Sequence, residues 1–136
     1  YSELARHHIV KMRREISEAG VGSSVIGMKS FRTTVMKSDQ SYHKKILYSG
    51  DFYSMSTLRD LLFHVQEHRF TMPQVKDCLS ELGLNFCGFE EVKIVQHFSR
   101  LNTSPDDPYD LDKWEAYEEA NPMAFAGMYQ FWCQKI

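Results

Sequence analysis

Apolar side chains return every third or fourth position through the first half of the chain, and the rhythm changes to alternation only after Gly83. A period near 3.6 marks a helical face and a period of two marks a strand. Residues 2–19 read as a helix, with Ser2 as its cap and Leu4, Ile9, Met12 and Ile16 along its apolar edge. Gly20, Gly22, Ser23 and Ser24 stop it. In 25–37, Ile26, Met28, Phe31, Val35 and Met36 predict a second helix, and Ser38-Asp39 opens a short third one with Tyr42, Ile46 and Leu47. The turn signal Ser49-Gly50-Asp51 then leads to Phe52 and Tyr53, which anchor the entry to the most strongly patterned stretch, 51–90.

In that stretch Thr57 can cap a helix that Asp60 answers in capping-box fashion, and Leu58, Leu61, Leu62 and Val65 form its apolar stripe. The polar run His64, Gln66, Glu67, His68, Arg69 follows. A new helix starts at Thr71, tolerates Pro73 in its first turn, turns Val75, Cys78, Leu79 and Leu82 inward and stops at Gly83. Leu84–Phe89 reads as a strand. Residues 91–101 predict a helix with Val92, Val95 and Phe98 inward, 102–108 a loop, and Asp110 the cap of a helix carrying Leu111, Trp114 and Tyr117 that ends at Asn121-Pro122. The last segment, 123–135, fits either period. Its aromatic residues favour a helical first turn followed by a strand at 129–133, paired antiparallel with Leu84–Phe89. The fold class expected is therefore α+β, mostly helical, with five to six helices and one short antiparallel strand pair.

Composition narrows the functional classes. With 136 residues, 43% of them hydrophobic, one core is expected, and the chain is either a single domain over 1–136 or part of a larger one, with a helical segment 1–50 and a core-like segment 51–136. A net charge of −2 with interspersed signs offers no basic field for nucleic acid. The basic side of the first helix, His7, His8, Lys11, Arg13 and Arg14, reads as a solvated face because Glu15 and Glu18 interleave with it. Cys78, Cys87 and Cys133 are odd in number and widely spaced, two of them on apolar faces, which predicts reduced structural thiols. No apolar run approaches the roughly 20 residues of a membrane span, so the expectation is a cytoplasmic protein without a membrane partner.

The polar run is the one candidate for chemistry. His64, Glu67 and His68 match the H-x-x-E-H pattern of inverted zinc peptidases, in which two imidazoles one helical turn apart hold the metal. Against this, Glu115, Glu118 and Glu119 sit on an exposed-looking helix and offer no clear third ligand, and no metal is expected. Asp106 and Asp107 read as turn residues, and no glycine-rich phosphate loop follows any strand.

The segments YSELARHHIV, DFYSMSTLRDLLFHVQEHRFTMPQVKDCLSELGLNFCGFE and NPMAFAGMYQFWCQK resemble the C-terminal region of bacterial class I, Rossmann-like S-adenosylmethionine-dependent methyltransferases, including those attached to tetratricopeptide repeats. The resemblance implies that LNFCGFE and MYQFWCQK are the last two strands of the methyltransferase sheet and that the cofactor loop and the ribose-binding acid lie before Tyr1. It implies methyl transfer with S-adenosylmethionine as cofactor of the full-length enzyme, none being expected for this chain alone. His64, Glu67 and His68 become candidates for catalysis, and Arg69 and Tyr53 for substrate binding. The implied partner is the missing N-terminal methyltransferase half, or a second copy in a homodimer. A non-catalytic helical interaction or regulatory module is the alternative, and a zinc site at HVQEH the remote one.

Overall fold

The computed structural model describes residues 1–64 and 66–136. Val65, the last member of the expected stripe, lies outside the described residues. In chain order the elements are α1 (Glu3–Glu18), α2 (Val25–Lys37), α3 (Ser41–Ile46), a 3-10 turn (Gly50–Phe52) and α4 (Met55–Leu58), which runs into a π-helical turn (Arg59–Phe63). They continue as α5 (Met72–Glu81), β1 (Leu84–Phe89), α6 (Val92–Leu101), a second 3-10 turn (Asp107–Tyr109), α7 (Leu111–Ala120) and β2 (Phe131–Lys135). This is the expected mostly helical α+β class, with seven α-helices and one antiparallel pair among the described residues. The chain forms two compact units, Tyr1–Ala5 with His68–Ile136, and Arg6–Glu67. Those limits differ from the expected segments 1–50 and 51–136.

In the unit that ends at Ile136, α5 begins as the sequence predicts. The Thr71 side chain accepts from the Gln74 N–H, the Gln74 side chain accepts from the Thr71 N–H at 2.9 Å, and Gly83 closes the helix at φ 63°. Only Met72, Val75 and Leu79 of α5 are buried; Leu82 and Cys78 are exposed, because Leu82 is already the C-cap and Cys78 lies on the flank of that face. Val92 is likewise exposed, since it opens α6 well off the direction of Phe98. The core gathers around Trp114, which stacks on Phe98 at 3.7 Å and meets Phe89 at 4.9 Å. Its indole N–H finds the Pro108 carbonyl at 3.0 Å, which satisfies the one polar group that its burial would strand.

β1 and β2 pair antiparallel from Leu84↔Lys135 to Phe89↔Phe131, with a bulge between Phe86 and Gly88. β2 thus begins two residues later than the expected 129–133, and 122–127 is a set of turns rather than a helix. Cys78, Cys87 and Cys133 are free, as expected of reduced thiols, but all three are exposed and none is set into an apolar face. Cys87 falls at the bulge, where the strand's inward–outward alternation is broken. The N-terminus joins this unit through a parallel bridge between Ser2 and Phe70, with Phe70 N–H on the Tyr1 carbonyl at 2.8 Å and Glu3 N–H on the Phe70 carbonyl at 3.0 Å.

The Arg6–Glu67 unit has its own core. Ile9, Met12 and Ile16 of α1, Met28, Phe31 and Val35 of α2, Ile46, Phe52, Leu58, Leu61 and Leu62 are all buried. Ile26 and Met36, expected inward, are exposed because each sits well off the Met28, Phe31, Val35 face. Ser24 caps α2 by accepting from the Gly27 N–H at 3.1 Å. The helix expected to start at Thr57 starts instead at Met55. Thr57 lies inside this helix, past its N-cap Ser54, and donates its hydroxyl to the Asp51 carbonyl at 2.8 Å, which ties down the preceding turn.

Candidate functional site

The polar run leaves the helix at once. His64 is extended at φ −98°, ψ 124°, and its N–H bonds the Arg59 carbonyl at 2.9 Å, closing the π turn. Residues 66–69 have no regular structure, so the two imidazoles are not stacked one helical turn apart as an inverted zinc-peptidase motif requires. Among the described residues no three His, Cys, Asp or Glu side chains gather as metal ligands. The π turn itself is uncommon, and such turns recur beside functional sites.

Glu67 is the buried member of the run, its side chain 6% exposed. Arg13 Nη2 lies 3.0 Å from Glu67 Oε2, and Arg6 Nε lies 3.6 Å from the same oxygen. Arg13 also donates from Nε at 3.0 Å and Nη2 at 2.8 Å to the Leu61 carbonyl. One guanidinium from α1 thereby satisfies a carbonyl in the middle of the π turn and neutralises the carboxylate four residues past the turn's last residue. Among the described residues Oε1 of Glu67 is buried without a hydrogen-bond partner. In this arrangement Glu67 is an acceptor held by two cations.

The other candidates stand apart from it. His64 and His68 are exposed, and the His68 carbonyl accepts from the Tyr1 ammonium at 3.0 Å. Arg69 Nε lies 3.2 Å from Glu3 Oε2. Tyr53 is mostly exposed, donates its hydroxyl to the Leu47 carbonyl at 2.9 Å, and gives its own carbonyl to Arg32 Nη1 at 3.0 Å. His64, Glu67 and Tyr53 belong to the Arg6–Glu67 unit, and His68 and Arg69 to the other.

Two polar constellations escape the sequence reading. The first is Glu118, which is buried and not exposed as its helix suggested: it accepts from Tyr129 Oη at 2.7 Å on Oε1 and 2.8 Å on Oε2, and from the buried Ser2 hydroxyl. Ser2 in turn accepts from the Ala5 N–H at 3.0 Å, so the α1 cap and the carboxyl form one network. Burial pushes the Glu118 carboxyl up from its ordinary value, the bonds from Ser2 and Tyr129 work against that, and the neighbouring Glu115 adds to it. Burial also pushes the Tyr129 hydroxyl far up. A small cleft of about 130 Å3 adjoins this group, lined by Glu118, Glu115, Phe70 and Pro73 among others. The signal was present in the sequence: Glu118 follows Leu111 by seven residues and Trp114 by four, which places it on the buried face.

The second lies in the Arg6–Glu67 unit. The buried His43 holds Glu15 Oε2 at 2.8 Å through Nε2, the Tyr42 hydroxyl donates to Glu15 Oε1, and Lys11 Nζ sits 3.9 Å over the Tyr42 ring. Burial pushes the Glu15 carboxyl up, but the Tyr42 and His43 bonds and the Lys11 charge outweigh it and bring the group below its ordinary value. The Tyr42 hydroxyl is correspondingly raised, first by its bond to Glu15. No family model matches the chain, and no curated protein matches it significantly.

Proposed function

We propose that the chain is the C-terminal, substrate-side portion of a class I S-adenosylmethionine-dependent methyltransferase. The observation that supports this most is the pairing of the two segments that the resemblance assigns to the last two strands: Leu84–Phe89 and Phe131–Lys135 form one antiparallel pair, entered directly from the helix that Gly83 ends. The residues present do not fit the cofactor itself. Gly83 leads from a helix into a strand, the reverse of a cofactor loop, and the connection from β1 to α6 carries Glu90 and Glu91 in place of glycines. The cofactor-binding half is therefore a partner of this segment, and the segment contributes shape and substrate contacts. His64, His68, Arg69 and Tyr53 stay candidates for that contact. The setting is cytoplasmic in this reading, in keeping with three free thiols; no helix among the described residues is long and apolar enough to cross a membrane.

One observation favours the alternative of a non-catalytic interaction or regulatory module. The one carboxylate of the polar run, Glu67, is already engaged by Arg13 and Arg6. Calorimetry with S-adenosylmethionine separates the two readings. The native polypeptide that carries this segment is expected to bind the cofactor at one site, and the 136-residue chain alone to bind none. Lack of binding by the native polypeptide, or specific micromolar binding by the isolated chain, overturns the proposal.

A further inference from the structure

We propose that the open edge of β1 and the groove beside it dock an extended, basic segment of a partner protein. The groove has a volume of about 470 Å3 and lies between α5, the 3-10 turn at Asp107–Tyr109 and the start of β1. Three consecutive strand residues, Leu84, Asn85 and Phe86, line it. Neighbouring strand side chains point to opposite faces, so three in a row meet one cavity along the edge of the strand.

The pairing phase identifies the open backbone groups. Ile136 N–H donates to the Gly83 carbonyl at 3.1 Å, so in the antiparallel alternation Asn85 exchanges bonds with Gln134, while Leu84 and Phe86 turn their N–H and C=O away from β2. The sheet has two strands, and no third one covers that side among the described residues. An extended chain laid along it would bond Leu84 and Phe86 and complete the ladder over about 10 Å.

The rim decides what that chain carries. Asp106 and Asp110 line the groove, while the adjacent Asp107 and Asp112 are paired with Lys113 and Lys76. Four carboxylates against two ammonium groups leave this side two charges negative. Leu79, Leu84 and Leu111 supply an apolar floor. The complement is a segment in which lysine or arginine alternates with apolar residues, one set answering the aspartates and the other the floor. This docking site does not depend on the methyltransferase reading.

The probe is an alternating lysine–valine nonapeptide added to the full chain, followed by amide chemical shifts. Shifts are expected at 84–86 and Tyr109, with binding weakened about fivefold or more by Asp106→Asn together with Asp110→Asn; asparagine keeps the α7 cap that Asp110 makes. A peptide methylated on alternate backbone nitrogens keeps its charges, cannot donate ladder bonds, and is expected to lose binding. Equal binding by a glutamate–valine nonapeptide, undiminished binding by the methylated one, shifts elsewhere or none at millimolar peptide, or a second copy of the chain occupying 84–86 would each overturn the proposal.

Discussion

Glu118 sets the pH behaviour of its unit through a balance at one carboxyl. Burial favours the protonated form and outweighs the bonds from Ser2 and Tyr129, so the folded group holds its proton more tightly than the unfolded one. A carboxyl raised in this way contributes stability that is complete below its ordinary value near 4.5 and is lost as pH climbs through the raised one. Glu118→Gln removes that dependence, and the variant's stability is expected to gain on the parent's between acid and neutral pH. Both tryptophans, Trp114 and Trp132, lie in this unit, so urea unfolding followed by their fluorescence at a series of pH values measures it. A difference that stays flat or falls over that range refutes the assignment. Glu15 has the opposite sign: its carboxyl is lowered, so its contribution is present above its ordinary value and is lost as pH falls through the folded one. The residue type misleads at Glu118, where the helical angle gives burial and the charge suggests solvent. At Glu67 the partner that makes burial possible is Arg13, 54 residues away, and no local pattern reports it.

Among the elements, α5 and β1 are legible because a capping box, a proline in the first turn and a glycine stop act within a few residues of one another. The stretch before them is less so. Thr57 could serve as a cap or bond back to Asp51, and only the surrounding turn decides for Asp51. The π turn that follows has no composition signal at all; it is held from outside, by the Arg13 guanidinium on the Leu61 carbonyl. Arg13→Ala removes both guanidinium bonds to that carbonyl and, among the described residues, leaves Arg6 at 3.6 Å as the ion-pair contact of Glu67. Breaking a buried charge pair from one side costs about 3–5 kcal/mol. The expected result is a loss of that size in unfolding free energy, together with faster amide exchange over 59–64. Arg13→Lys keeps the charge and loses the fork geometry, so it should recover only part of the loss. Full recovery by lysine would show that the guanidinium bonds to Leu61 do not hold the turn.

The molecule as a whole divides where sequence gives no hint, since Tyr1–Ala5 joins the later unit through Ser2 and Phe70, a contact across half of the chain. The class of fold was readable because periodicity marks the helices and Leu84–Phe89, while in 123–135, which fits either period, the aromatic residues point to the strand. That pair leaves one large apolar side chain uncovered. Trp132 stands opposite Gly88, which has no side chain to meet it, and is 65% exposed. Burying the rest of the indole stabilises by roughly 3 kcal/mol at about 25 cal/mol per Å2. Association costs at least about 4 kcal/mol in lost translation and rotation, so one such contact from each copy supports only a weak dimer. The difference, about 2 kcal/mol, corresponds to a dissociation constant on the order of tens of millimolar, so slight self-association is expected in sedimentation equilibrium only at millimolar concentration and none at a few micromolar. Trp132→Thr keeps a β-branched residue in the strand, and it should weaken the dimer about tenfold or more while the unfolding transition reported by Trp114 stays within about 0.5 kcal/mol. A strict monomer at high concentration, or a dimer indifferent to this substitution, would remove Trp132 from any interface between copies.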